Sequence, residues 1–117
     1  MPFSPKSRVG RSMSMAEGKR DAAAEVLKAL AHPIRLGVVE LLGEGEKTVT
    51  ELYSALECSQ PLMSHQLTVL RNRGLIEIRR EGSLKYCSLR DRRILRLFEC
   101  LNSHLEEITE PTERKGA

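Results

Sequence analysis

At 117 residues the chain is one domain's worth, and its only aromatics, Phe3, Tyr53, Tyr86 and Phe98, describe a small aliphatic core of the kind that oligomerisation often completes. No apolar run approaches the ~18 residues of a membrane span, no apolar h-region marks a secretory signal, and three scattered cysteines fit a reducing cytoplasm better than a disulfide framework. The net charge of +3 is unevenly spread: residues 71–96 hold nine Lys and Arg against three acids, a local +6, whereas residues 21–70 sum to −4. Such clustering points to a polyanion.

Residues 1–18, "MPFSPKSRVGRSMSMAEG", show no hydrophobic period and are rich in Ser, Pro, Gly and basic residues; they are predicted to form a disordered basic arm, with Met13 or Met15 as alternative starts. From Lys19, "KRDAAAEVLKALA" is an Ala-rich helix with Val26, Leu27 and Leu30 on one side. His32-Pro33 breaks it and opens "IRLGVVELL", a second helix that stops at Gly43 and Gly45. Thr48 or Thr50 caps a short third helix, Glu51 to Leu56. After a tight connection at Glu57-Cys58, Ser59 caps a fourth helix that ends at Gly74.

"LIEIRREGSLKYCSL" follows, with Glu81-Gly82-Ser83 as the turn of a β-hairpin that carries Arg79, Arg80 and Lys85. In the last helix Ile94, Phe98, Leu101, Leu105 and Ile108 recur at heptad-like spacings, until Pro111 ends it. The expected fold is mainly α with a small β-hairpin wing, a dimeric winged helix-turn-helix over residues 19–110, followed by a tail at 111–117. In that fold the fourth helix enters the major groove, where Gln pairs with adenine and Ser both donates and accepts. This accounts for a polar face made of Ser64, His65 and Gln66. Candidate DNA contacts are therefore Ser59, Gln60, Ser64, His65 and Gln66 on that helix, and Arg71, Arg79, Arg80 and Lys85 for phosphate or the minor groove.

The order of Leu-Ala-x-Pro-x-Arg, Ser-Gln-Pro-x-x-Ser-His, Leu-Arg-x-x-Gly-Leu-Ile and Arg-Glu-Gly-x-x-x-Tyr, across roughly residues 24–108, resembles the ArsR/SmtB family of bacterial winged-helix repressors. The resemblance implies a homodimer through the first and last helices, an inverted-repeat operator in double-stranded DNA, and release by an effector. It implies no required cofactor and no membrane partner. One family zinc site uses an Asp and a His near the start of the last helix with a His-x-x-Glu of the other subunit. Asp91, His104 and Glu107 fall on those positions, but Arg93 replaces the first His and cannot ligate zinc. The arsenic-sensing version carries a Cys-x-Cys on the third helix, where no cysteine stands here. Cys58, Cys87 and Cys100 remain as candidates for sensing arsenic or a thiol oxidant.

Two rival functions make different demands on the sequence. An enzyme would draw on His32, His65 and His104, yet no Gly-rich phosphate loop, nucleophile elbow or His-Glu-x-x-His is present, so no catalytic activity is expected. A winged-helix protein-interaction module without DNA binding would need an apolar or acidic recognition face, whereas this one is polar and precedes the +6 block.

Overall fold

The computed structural model describes residues 15–111. Helix α1 (Glu17–Leu30) leads to α2 (Pro33–Leu42), a short strand β1 (Lys47–Thr48), α3 (Val49–Ala55) and α4 (Gln60–Asn72). Strands β2 (Ile76–Glu81) and β3 (Leu84–Leu89) follow, then a 3-10 turn (Arg92–Ile94) and α5 (Leu95–Thr109). The mainly helical fold with a small wing is as expected. The arm assigned to residues 1–18 lies outside the described residues up to position 14, and its last two residues belong to α1, which begins at Glu17 rather than Lys19. Of the tail at 111–117, positions 112–117 likewise lie outside. Among the described residues no helix is long and apolar enough to cross a membrane.

Local chemistry sets the boundaries. His32 is extended, and its Nδ1 accepts the Ile34 N–H at 3.1 Å, so it caps α2 while Pro33 occupies the first turn. Thr48, not Thr50, caps α3 through a reciprocal box. Its Oγ1 accepts the Glu51 N–H at 3.1 Å, and the Glu51 carboxylate accepts the Thr48 N–H at 2.8 Å. That backbone N–H stabilises the ionised carboxylate and holds its pKa below the usual value.

Leu30, Val38, Val39, Leu42, Leu52, Met63, Leu67, Leu70, Ile76 and Cys87 form the core. The sheet is three-stranded and antiparallel in the order β1-β3-β2, so the hairpin gains a strand that its two-residue length concealed. Its register sets Ile78 opposite Cys87, Arg79 opposite Tyr86, and Arg80 opposite Lys85. The last helix is different. Leu95, Leu97 and Phe98 pack against the core, but no residue of α5 is fully buried, and Leu101, Leu105 and Ile108 stand 37%, 52% and 58% exposed.

Candidate nucleic-acid interface

Helices α3 and α4 are joined by a turn built on a Schellman motif. The Glu57 N–H reaches Ser54 O at 3.3 Å and the Cys58 N–H reaches Tyr53 O at 3.1 Å, with Glu57 left-handed at φ 53°. Cys58 is thereby a half-buried small residue packed against the core beside Tyr53. Ser59 then caps α4, its Oγ accepting the Leu62 N–H at 3.2 Å. With Pro61 lacking a donor, the Gln60 N–H is the first-turn group left to meet a phosphate.

Between α4 and the wing runs a groove of about 520 Å³. One wall carries Gln60, Ser64, Thr68 and Arg71 from α4 with Thr50 from α3; the other carries Arg80, Ser83 and Lys85. Among the described residues no carboxylate lines it, in a chain with 16 Asp and Glu. Arg80 and Lys85 face each other across the ladder, and like charges directly opposite repel unless an anion lies between them. The groove therefore carries a positive potential. Thr50 and Thr68 were not among the expected contacts; Thr68 lies four residues after Ser64 on the same stripe, and its hydroxyl donates to Ser64 O at 3.0 Å.

One expected contact is corrected, and a second lies apart from the groove. Gln66 does not face the groove: it is 4% exposed, and its Oε1 accepts from Arg35 Nη1 at 2.6 Å. It shares the inner face with Met63 and Leu70, three and four residues away. Arg79 is exposed but lies on the other face of the wing. Strand pleating turns it away from Arg80, over the Tyr86 ring at 4.7 Å, with its guanidinium bonded to Glu46 at 2.9 Å and Glu81 at 3.1 Å. The Glu46 carboxylate raises its pKa further. Ser59, Gln60, Ser64, His65, Arg71, Arg80 and Lys85 are all exposed, with Ser59 doubling as the helix cap.

The metal and thiol candidates are scattered within the chain. Among the described residues no group of three or more His, Cys, Asp or Glu could hold a metal ion. Both carboxylate oxygens of Asp91 accept from Arg93, at 2.6 Å to Nη2 and 3.0 Å to Nε, which drives the Asp91 pKa far below the usual range. The His104 ring pairs with Glu107 at 3.0 Å. An Asp91 already satisfied by the guanidinium beside it does not fit a cation, so the residues present do not suit the zinc site that the resemblance implies. Cys87 lies fully buried on β3, where desolvation pushes its thiol up to about 11, away from the reactive thiolate. Cys100 is exposed on α5.

Residues 32–77 match the family described as bacterial regulatory protein, arsR family. The chain is 38% identical over 84 residues to a transcriptional repressor SmtB homolog of Synechocystis, covering 72% of this chain and 64%, just under two thirds, of that relative. To the biofilm growth-associated repressor of Agrobacterium fabrum it is 40% identical over 85 residues, 73% of each chain. In structure it resembles a homodimeric winged helix-turn-helix DNA-binding domain from Mycobacterium bovis at a TM-score of 0.69 and 29% identity, over 88% of this chain and 99% of that one. The acid-free groove beside a capped polar helix, the three-stranded wing and these likenesses agree: the chain belongs to the ArsR/SmtB family of bacterial transcriptional regulators, which are not enzymes.

Proposed function

We propose that the chain is a cytoplasmic, homodimeric transcriptional repressor that binds an inverted-repeat operator and leaves it when an effector binds. The observation that carries this reading is the groove between α4 and the wing, lined by three cations and no carboxylate. Gln60, Ser64, His65 and Thr68 read base edges in the major groove, while Arg71, Arg80 and Lys85 hold phosphates on either side. Two such modules on a two-fold axis reach half-sites about 34 Å apart. The exposed Leu101, Leu105 and Ile108 of α5, with Leu27 of α1 at 54% exposure, supply an apolar face for the second copy.

Selection of duplexes with the purified protein, followed by gel shifts at rising salt, tests the reading. Retardation should weaken linearly in log–log form, with a slope of about −0.9 for each phosphate neutralised. No retardation at any salt would instead support a protein-interaction module. For release, the exposed Cys100 is the best-placed of the three thiols. Titrating Zn²⁺, As(III), peroxide and persulfide against the selected duplex identifies the effector class. Release that persists after Cys58, Cys87 and Cys100 are all changed to Ser excludes the thiols.

A further inference from the structure

Gln66 is the one buried polar side chain among the described residues, on a helix whose other polar groups stand in solvent. A buried amide is unfavourable unless bonded, and its bond is to a cation: Arg35 Nη1 donates to Gln66 Oε1 at 2.6 Å. The same guanidinium donates through Nε to Ala29 O at 2.6 Å, and Nη2 reaches Lys28 O at 3.5 Å. Both carbonyls belong to the last turn of α1, where the Ala31 N–H already reaches Lys28 O at 3.2 Å and the Arg35 fork supplies the donor for Ala29 O. A single planar fork thus grips the end of α1 and the middle of α4. A second tie joins the same two helices, Arg73 Nη2 to Glu25 Oε1 at 2.9 Å, but both side chains are about half exposed and that pair is weak.

We propose that Arg35, acting through Gln66, is a positioning residue for DNA recognition: it locks the seat of α4 against α1 and so sets how strictly the dimer discriminates half-site spacing. This rests on the reading of α1 and α5 as the face joining two DNA-binding subunits. The apolar contacts of α4, through Met63, Leu67 and Leu70, turn its inner face to the core, and apolar burial, being non-directional, leaves small shifts of the helix open. The guanidinium fork is directional. Gln66 follows Ser64 and His65 directly, so any roll that breaks its bond re-aims both exposed side chains. A one-base-pair change of spacer moves a half-site by about 3.4 Å and turns it by about 35° about the DNA axis, so an α4 locked against α1 resists it more than an α4 free to shift.

The test compares full-length wild type with Gln66→Met, Arg35→Met and Gln66→Glu. Each is measured on the selected operator, and on the same operator with its half-sites moved together or apart by one base pair. Wild type should lose about tenfold or more in affinity on either shifted operator. Gln66→Met and Arg35→Met should bind all three within about threefold of one another. Their salt dependence, which counts phosphates, should be unchanged. Gln66→Glu keeps the acceptor and should keep the wild-type preference. Thermal unfolding checks each variant, and if Arg35→Met does not fold, Gln66→Met, which removes one arm of the fork, decides. A folded Gln66→Met with the wild-type spacing preference overturns the proposal, as does a Gln66→Glu that behaves like Gln66→Met. A wild type that binds no duplex overturns the DNA reading itself, and is told apart because it fails before spacing enters.

Discussion

Helices α4 and α5 have similar lengths, 13 and 15 residues, and both are amphipathic, yet they leave opposite faces uncovered. In α4 the chain buries Met63, Gln66, Leu67 and Leu70 and presents hydroxyl, imidazole and amide groups beside a cationic groove. In α5 the first turn packs on the core, and beyond Phe98 the apolar residues face solvent. A fully buried Leu is worth about 1.5–3 kcal/mol over an exposed one, so the α5 stripe represents stabilisation that the single chain leaves unrealised. An uncovered face therefore names its partner by its chemistry: a polyanion for α4, another apolar surface for α5.

The largest effect should come from α4's inner face. Leu70→Ala, at a fully buried site, should lower unfolding free energy by about 2–5 kcal/mol in a denaturant titration. Leu105→Ala, measured where the chain is dilute enough to be single, should change it by less than about 0.5 kcal/mol. If the two losses are alike, α5 is not an uncovered helix. Next, Leu101→Glu with Leu105→Glu should place charge in the proposed contact between copies. Sedimentation should then report single chains, and operator affinity should fall by about 100-fold, because one module alone holds one half-site.

The wing allows a finer division of α4's polar side. Changing Arg80 or Lys85 to Ala should flatten the log–log salt slope by roughly 0.9 per subunit, since each removes one phosphate contact. Arg79→Gln should leave the slope unchanged, because that guanidinium is held by Glu46 and Glu81 on the far face of the strand. Equal slopes for the Arg79 and Arg80 variants would mean that the pleat does not separate them.

The element order, the Pro33 break, the Ser59 cap and the apolar stripe of α5 were legible because each depends on neighbours within one or two turns. The inward turn of Gln66 was legible as well: it lies three residues from Met63 and four from Leu70, and periodicity should have outweighed the suitability of an amide for adenine. Arg79 and Arg80 could not both face one groove, since adjacent strand residues point to opposite sides. By contrast β1, at two residues, is too short to alternate, and its pairing with β3 spans a long stretch of chain. Arg35 stood within the motif Leu-Ala-x-Pro-x-Arg, but no local pattern reveals that its fork reaches a helix 31 residues on.

The smallest effects belong to the C-terminal ends of α3 and α4, which close with the same backbone device in different residues. After α4, Gly74 takes φ 73°, with the Gly74 N–H on Arg71 O at 2.9 Å and the Leu75 N–H on Leu70 O at 3.0 Å. Before α4, Glu57 holds the equivalent left-handed position at φ 53°, where a β-carbon is disfavoured. Glu57→Gly should raise stability by up to about 1 kcal/mol, because the relief of the left-handed backbone exceeds the added freedom of the unfolded chain. Gly74→Ala should lower it by about as much, as its new β-carbon would also meet Arg90 Nη1 at 3.0 Å. Glu57→Ala separates backbone from charge: it keeps the strained β-carbon but removes an acid two residues from the cap of the DNA-facing helix. Its stability should match wild type, and its operator affinity should rise slightly, by less than about threefold, as should that of Glu57→Gly. If Glu57→Ala proves as stabilising as Glu57→Gly, the strain lies in the charge and not in φ.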